Sequence, residues 1–312
     1  MTNTEVLERV EKNALKNGYS VDKTSVDDKN QTRFIHLQLS KAGKKYFAKV
    51  NVRSVQLLDL KNEALSLHLT DGERFSVVKP VETIKIDDTR ELFIYPFIEH
   101  SAISTERSGF SDFSVADPDK NDFFLAAEEM ISSIESSSFY SYKDICRQYY
   151  DNKETLIEWL SKLDPSSIYP VSALQQLAEI LPGLVDLAPA IADLQPQNLF
   201  WDPEAKHIYL IDLESMNNMP LGYDRAKFAA SVYIVCIQKE LAIDWIKFSV
   251  KHIKTSSKSE AIVLISRLHA MLLWTGLEYY TYFRRINDLD REHVAIEFLK
   301  WCLNDYVDLV NS

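Results

Sequence analysis

The chain has 312 residues, of which 46% are hydrophobic and 26% are charged, a composition typical of a globular protein and not of a disordered one. Asp and Glu number 46 against 35 Lys and Arg, and the net charge of -11 argues against nucleic acid as a partner, because the phosphate backbone attracts basic surfaces. A charged N-terminus without an apolar core, and the lack of any run of about 18 apolar residues, predict a cytoplasmic protein with no secretion signal and no membrane span.

The first hundred residues carry helical and strand patterns that predict a small α+β lobe. Residues 4–17 have apolar side chains at helical spacing and end at Gly18, as an amphipathic helix does. Apolar runs with strand periodicity follow, together with one segment of helical periodicity. The predicted strands are 19–26, 32–39, 45–52, 75–81 and 92–97, and the predicted helix is 55–69. These elements define an N-terminal lobe over residues 1–98.

Helical patterns dominate the rest of the chain, which we expect to form a larger lobe over residues 99–312. A polar stretch over 100–120 opens this part as a linker or surface loop. The predicted helices are 122–134, 142–163, 171–180, 224–253, 259–283 and 291–309. The only clear β content is a hairpin, in which the apolar runs 199–201 and 207–211 flank the turn D-P-E-A-K. The fold class is therefore α+β, with a small β-sheet lobe that contains one main helix and a larger, mostly helical lobe.

Four polar side chains surround this hairpin. Asp193 and Asn198 precede its first strand, and Asp212 and Glu214 follow its second strand. A short hairpin places its two open ends close together, so we expect these side chains to converge. Carboxylate and amide oxygens suit a hard cation such as Mg²⁺, which normally arrives with phosphates.

The order of these residues resembles the protein-kinase-like fold, and in particular the aminoglycoside phosphotransferase and choline/ethanolamine kinase superfamily. Asp193-Leu-Gln-Pro-Gln-Asn198 is similar to the catalytic loop D-x-x-x-x-N, and Ile211-Asp212-Leu213-Glu214 is similar to the I-D-x-E segment of that superfamily. Gly222-Tyr223-Asp224 looks like the G-F-D of choline kinases. The resemblance implies a bilobal fold over nearly the full chain.

The resemblance also implies a role for each residue. Asp193 would accept the proton of the acceptor hydroxyl or orient that hydroxyl. Asn198 and Asp212 would hold Mg²⁺ against the phosphates, and Glu214 would bind a second Mg²⁺ or pair with a nearby basic residue. Asp224 would cap a helix or hold the backbone of the catalytic loop, without direct chemistry.

The N-terminal lobe carries a second part of the resemblance. Lys49 lies in the predicted strand 45–52, and Glu63 lies downstream in the predicted helix 55–69. Kinase-like folds use a strand lysine to hold the nucleotide phosphates and a helix glutamate to orient that lysine. Backbone groups near Tyr95, Phe97 and Ile98, where the chain crosses to the larger lobe, are implied to hydrogen-bond adenine.

Two features depart from the family pattern. No glycine lies between residues 19 and 39, so a glycine-rich phosphate loop is missing, and side chains such as Lys29 or Asn30 would replace part of it. Ile191 stands where the family usually places a histidine, two residues before the catalytic aspartate. A catalytically inactive nucleotide-binding or scaffold protein of the same fold therefore stays open as the alternative.

The acceptor is the least specified part of the prediction. Segment 274–285 is rich in aromatic residues and contains Glu278, a combination that could hold an ammonium group by cation–π attraction. The same residues also suit a helix interface in the core, and Arg284 and Arg285 would oppose a cationic ligand in the same pocket. We predict a small-molecule kinase that uses ATP (or GTP) and Mg²⁺ to phosphorylate a hydroxyl of an amino alcohol, an aminoglycoside or a sugar-like acceptor.

Overall fold

A computed structural model describes residues 3–25, 34–53, 57, 60, 69–100, 102, 119–137, 163, 166–180, 187–255 and 257–311. The chain divides into two compact units. Unit 1 comprises residues 1–71, 76–100 and 209–215, and unit 2 comprises residues 72–75, 101–208 and 216–312. Glu63, Lys29, Asn30 and the predicted helix 142–163, apart from Leu163, lie outside the described residues, as does the predicted helix 55–69 apart from Leu57, Leu60 and Leu69.

Unit 1 is built on a five-stranded sheet with the order β1-β2-β3-β6-β5. Its strands are β1 (Ser20–Ser25), β2 (Phe34–Lys41), β3 (Lys44–Asn51), β5 (Glu82–Asp87) and β6 (Arg90–Pro96). All four pairings are antiparallel. Helix α1 (Asn3–Lys16) packs on one face through Val6, Val10 and Ala14, which join the buried residues of the sheet. Apolar periodicity therefore builds this face, as the sequence predicts.

The sequence prediction missed one strand of this sheet. It extended a single strand over 75–81, whereas β4 (Phe75–Val77) ends early and β5 is a separate strand. Strand β5 lies at the sheet edge, and only Ile84 within it is buried. An edge strand with one buried side chain and charged neighbours carries little apolar periodicity, so the pattern did not reveal it.

Unit 2 is mainly helical. Its α-helices are α2 (Lys120–Glu135), α3 (Ile168–Ile180), α4 (Tyr223–Ala230), α5 (Lys239–Ile253), α6 (Lys258–Ile286), α7 (Leu289–Asn304) and α8 (Tyr306–Asn311). The predicted helix 224–253 is interrupted: a π-helical turn over Ser231–Val235 ends α4, and Ile237 has a left-handed φ of 58°. The sequence did not reveal this break, because the residues around it are apolar throughout, and a buried segment is apolar whether it forms an α-helix or a π-helical turn.

The predicted hairpin is present as β8 (Leu199–Asp202) and β9 (His207–Leu210), in a three-stranded sheet of order β4-β9-β8. Asp202 shapes its turn by accepting hydrogen bonds from Glu204 N at 2.9 Å and Ala205 N at 3.0 Å. A second ribbon, β7 (Leu187–Ala190) paired with β10 (Asn217–Pro220), was not predicted. Both of its strands have four residues, include a proline and lack alternation, so they resemble loop sequence.

Helix α6 runs through unit 2 and packs against α7. Gly276 permits this approach, because an added Cβ would lie 2.7 Å from Leu299 Cδ2. By length and composition alone, α6 could cross a membrane, with a mean hydropathy of 1.3 over 18 residues, but 61% of that window is buried inside the protein. Burial of this extent also occurs in core helices of soluble proteins, so α6 gives only weak support for a membrane span.

Candidate functional site

In unit 1 the structure brings Lys49 and Asp212 together. Lys49 lies within β3, paired with Phe93 on β6, and Asp212 follows the end of β9. Lys49 Nζ is 2.5 Å from Asp212 Oδ1, and the two side chains are 7% and 17% exposed. A cation at this depth requires a partner, because burial of an unpaired charge is costly. The ion pair therefore joins two residues that the sequence singled out separately.

Asp212 also has an unusual backbone conformation, with a left-handed φ of 64°. Aspartate tolerates this region better than most residues because its short side chain can bond locally. The turn leads into a short 3₁₀ helix (Leu213–Ser215) that carries Glu214, which is half-buried. Backbone outliers that persist next to polar side chains are common at functional sites.

The three residues predicted near adenine lie at the end of β6 and just after it. Tyr95 is buried in β6 opposite Phe47, and their ring centroids are 6.5 Å apart. Phe97 and Ile98 follow the strand and are half-buried, and Ile98 packs against the cluster that contains Tyr95. The Tyr95 side chain is thus part of the core of unit 1, while Phe97 and Ile98 lie in the segment that follows β6.

In unit 2 the loop that precedes Asp193 is anchored by Asp224. Asp224 Oδ2 accepts a hydrogen bond from Ile191 N at 2.7 Å, and Asp224 Oδ1 accepts one from Ala192 N at 3.0 Å. Ala192 has a left-handed φ of 63°, which is a strained conformation for alanine. The two hydrogen bonds to Asp224, which we call the Asp224 clamp, hold it in this conformation. Ile191 is fully buried, so this chain fills the position of the missing histidine with core packing. Asp224 holds the backbone of the loop, as the resemblance implied.

Asp224 is itself held in a buried charge network. Burial raises the pKa of Asp224 to about 7, against the two backbone amides, which favour its ionised form. The neighbouring Arg225 donates from Nε to Glu128 Oε1 at 3.0 Å and from Nη1 to Glu135 Oε2 at 2.6 Å. Glu135 Oε1 also accepts from Gly222 N at 3.1 Å, at the start of α4. This network connects α2 to α4 and thereby supports the residue that anchors the loop.

Within the loop, side-chain amides orient Asp193. Gln195 Nε2 donates to Asp193 Oδ1, and Gln197 Nε2 donates to Gln195 Oε1. Asn198 Nδ2 donates to Asp193 O at 3.2 Å, which turns the Asn198 carbonyl oxygen away from that backbone group. Asp193 and Asn198 are therefore neighbours in unit 2, as the motif implies.

The aromatic segment predicted as a possible ammonium site is closed by the chain itself. Glu278 Oε1 accepts from Trp274 Nε1 at 3.0 Å, and Glu278 Oε2 accepts from Tyr223 OH at 2.8 Å and from Lys227 Nζ at 3.3 Å. Lys227 Nζ lies 4.6 Å from the ring centroid of Tyr279, which is the position an ammonium ligand would take. Most of these aromatic residues belong to the core, as the alternative interpretation of the segment holds.

Comparison with solved structures identifies the fold. A thermostable mutant of the aminoglycoside phosphotransferase APH(4)-Ia, in a ternary complex with ADP and hygromycin B, superposes with a TM-score of 0.68 at 12% identity over 94% of this chain and 97% of that one. The GDP complex of aminoglycoside 2'-phosphotransferase-IIIa gives a TM-score of 0.66 at 12% identity over 97% of this chain and 98% of that one. The chain has the protein-kinase-like fold of the aminoglycoside phosphotransferases. No protein-family model matches the chain, and no curated protein matches its sequence significantly.

In this kinase-like fold the predicted metal ligands are distributed over both units. Asp212 and Glu214 belong to unit 1, and Asn198 belongs to unit 2. No cluster of three or more His, Cys, Asp or Glu side chains suited to a metal ion occurs within the described ranges. The ligand atoms of these three residues are carboxylate oxygens and the amide oxygen of Asn198, the hard ligands that Mg²⁺ takes. The chemistry of these residues therefore fits Mg²⁺.

Sequence reasoning did not single out Lys227, which pairs with Glu278. Its position three residues after Asp224 on α4 was a usable signal, because residues at this spacing share a helix face. Its partner Glu278 lies 51 residues further along the chain, a contact that only the tertiary fold creates. The roles of Gln195 and Gln197 were also missed, although both lie within the quoted motif.

Proposed function

We propose that this protein is a nucleotide-dependent phosphotransferase that phosphorylates a hydroxyl group of a small molecule. The observation that carries the proposal is the ion pair of Lys49 with Asp212 at 2.5 Å within unit 1. In kinase-like folds the strand lysine acts on the nucleotide phosphates directly and the aspartate acts on them through Mg²⁺, and this ion pair brings both groups to one place. The solved proteins of this fold that bind ADP or GDP, hygromycin B and kanamycin support the same class of reaction.

In this proposal the two lobes have different roles, one for the nucleotide and one for the acceptor. Lys49 neutralises the nucleotide phosphates, Glu63 orients Lys49, and backbone groups at Tyr95, Phe97 and Ile98 bind the base. These roles belong to the N-terminal lobe, residues 1–98, whereas residues 99–312 carry Asp193 and the acceptor site. The base of the nucleotide is adenine or guanine.

Asp193 positions the acceptor hydroxyl and takes its proton as the reaction proceeds. The hydroxyl oxygen forms a new bond to the γ-phosphorus, the bond from that phosphorus to the nucleoside diphosphate breaks, and the diphosphate leaves with its electron pair. Gln195 fixes the Asp193 carboxylate, and Asp224 fixes the backbone before it. Asn198, Asp212 and Glu214 would hold Mg²⁺, which supplies charge neutralisation on the phosphates when bound.

The alternative is an inactive nucleotide-binding protein of the same fold. Ile191 replaces the usual histidine, but the Asp224 clamp holds the loop without it, and this favours the active protein. Thermal shift with ATP and GTP, each with Mg²⁺, measures binding, and release of nucleoside diphosphate with a panel of acceptors measures turnover. Binding without turnover would establish the alternative, and the absence of any shift would contradict both.

The mechanism is tested by Asp193→Asn. We expect a fall in kcat of about 10²–10⁴-fold, because the carboxylate both orients the hydroxyl and accepts its proton, with an unchanged nucleotide-induced thermal shift. Asp308→Asn, an exposed position on α8, is the matched control and should keep normal turnover. Full activity of Asp193→Asn would remove Asp193 from the mechanism.

A further inference from the structure

A cluster of polar side chains in unit 2 lies within electrostatic range of Asp193, and we call it the acceptor-side cluster. It consists of Lys227 on α4, Ser231 in the π-helical turn, and Glu278 and Tyr279 on α6. Thr275 Oγ1 contacts Ala226 O at 3.4 Å and brings the two helices together here. The side chains of Lys227 and Glu278 are 12% and 20% exposed, so this is an internal polar site.

Asp193 acts electrostatically on two side chains of the cluster, Lys227 and Tyr279. Burial lowers the pKa of Lys227, but the electrostatic effects of Tyr279, Glu278 and then Asp193 outweigh it, and Lys227 stays charged. Burial raises the pKa of Tyr279 and Asp193 adds to this rise, although Lys227 opposes it. Near neutral pH the cluster therefore presents an ammonium and a phenol hydroxyl close to the Asp193 carboxylate.

The acid of this cluster has no capacity left for a cationic ligand. Three donors already share Glu278, namely Trp274 Nε1, Tyr223 OH and Lys227 Nζ. The Tyr279 face is occupied as well, since Lys227 Nζ lies 4.6 Å from its centroid. An ammonium group of an acceptor would meet the like charge of Lys227, and the one carboxylate of the cluster, Glu278, is already paired.

Hydrogen-bond donors, in contrast, remain available. A lysine ammonium has three N–H donors, and Glu278 Oε2 is the hydrogen-bond acceptor that Lys227 has within the described ranges. The hydroxyls of Tyr279 and Ser231 are buried, and a hydrogen bond from Ser231 to the Tyr279 oxygen lowers the pKa of Tyr279 against the effect of burial; neither hydroxyl has a further partner among the described residues. This bond uses the Ser231 proton and leaves the Tyr279 O–H without an acceptor, which is uncommon for a buried hydroxyl because it loses its bonds to water. A ligand oxygen would accept from it.

We propose that Lys227 and Tyr279 bind oxygen atoms of the acceptor beside the hydroxyl held by Asp193, so that the site selects an uncharged or acidic polyhydroxy compound over one with an ammonium group. This inference rests on the proposed function and narrows its substrate class. It separates this chain from the aminoglycoside-binding proteins that share its fold. Lys227 is thereby a specificity-determining residue.

The experiment measures nucleoside diphosphate release by the full chain with four acceptor groups: neutral sugars and polyols, sugar acids and hydroxy acids, amino alcohols, and aminoglycosides including hygromycin B and kanamycin. We expect kcat/KM for the best acceptor of the first two groups to exceed that of every ammonium-bearing acceptor by tenfold or more. A preference for any amino alcohol or aminoglycoside would overturn the inference while leaving the proposed function intact. Absence of nucleotide binding and of turnover with all groups would overturn both.

Variants then test the residues. Lys227→Met keeps the aliphatic stem, and we expect it to raise the KM of the preferred acceptor at least tenfold while the KM of the nucleotide changes less than twofold. Tyr279→Phe removes only a hydroxyl, so it tests the same site if Lys227→Met does not fold, and it should raise the acceptor KM at least threefold. Lys251→Met, at an exposed position of α5, is the control and should change neither constant. Unchanged acceptor KM in Tyr279→Phe and in a folded Lys227→Met would refute the assignment.

Discussion

The anchoring of the loop before Asp193 by Asp224 gives the sharpest stability prediction. Asp224 is buried and accepts two backbone hydrogen bonds, from Ile191 N at 2.7 Å and from Ala192 N at 3.0 Å. Asp224→Ala removes both acceptors and leaves the buried Ile191 N–H and the partly buried Ala192 N–H without partners, at a cost of about 1–3 kcal/mol for the first and less for the second. Removal of a carboxylate that burial disfavours offsets part of this cost. We expect a net loss of about 2–4 kcal/mol in the free energy of unfolding.

Urea denaturation followed by tryptophan fluorescence measures this loss. The control is Asp290→Ala, an exposed acid in the first turn of α7, which should cost about 0.3–1 kcal/mol through the helix dipole. Because the native protein is expected to be stable by about 5–15 kcal/mol, Asp224→Ala should still fold. Its kcat should fall by about 100-fold, since Ala192 is no longer held at its strained φ and Asp193 loses its position. A loss no larger than that of Asp290→Ala would refute the clamp.

Two further predictions concern the buried charges. The pKa of Asp224 is about 7 in the folded protein, whereas its ordinary value, expected in the unfolded chain, is 3.8. Between about pH 4 and pH 7 the folded protein therefore binds one proton that the unfolded chain has released. The stability contributed by this group is full below pH 4 and is lost as the pH rises to 7, by up to about 4 kcal/mol, and Asp224→Asn should flatten this part of the pH profile of urea unfolding. Lys49→Met removes the cation that pairs with the Asp212 carboxylate, and we expect it to lower the free energy of unfolding by about 2–4 kcal/mol in the same assay, a range already reduced for the partial exposure of Asp212. The Lys49→Met/Asp212→Asn double variant should recover part of this loss. If the effects of the two single changes simply add, the two side chains do not form a direct pair.

Local patterns in the sequence were enough to predict the hairpin and the order of its polar residues. The turn D-P-E-A-K separates two apolar runs, and such turn chemistry acts over a few residues, so β8 and β9 follow from it directly. Helix α1 and the hairpin β2 to β3 were predicted for the same reason, because their apolar side chains repeat with the period of the element they form. The order of Lys49, Asp193, Asn198 and Asp212 was sufficient to name the fold.

Short or polar elements were not predictable in this way. Strand β5 at the sheet edge and the four-residue strands β7 and β10 owe their conformation to the neighbours with which they pair, since their own sequences do not alternate strongly enough to specify a strand. The π-helical turn after α4 was hidden by apolar residues that are buried on both sides of the break. Tertiary packing overrode weak local preference in each case.

Contacts between distant residues were decided by the tertiary structure alone. Lys49 and Asp212 are 163 positions apart, and no local rule predicts that their side chains form one ion pair. The sequence marked Glu278 as part of a possible ammonium site, but the fold places Lys227 against it and over Tyr279, so that the acid is neutralised within the protein. Sequence therefore determined which chemical groups this protein possesses, and packing determined which of them are neutralised internally and which remain for a ligand, because burial makes every unpaired charge costly and leaves only paired arrangements stable.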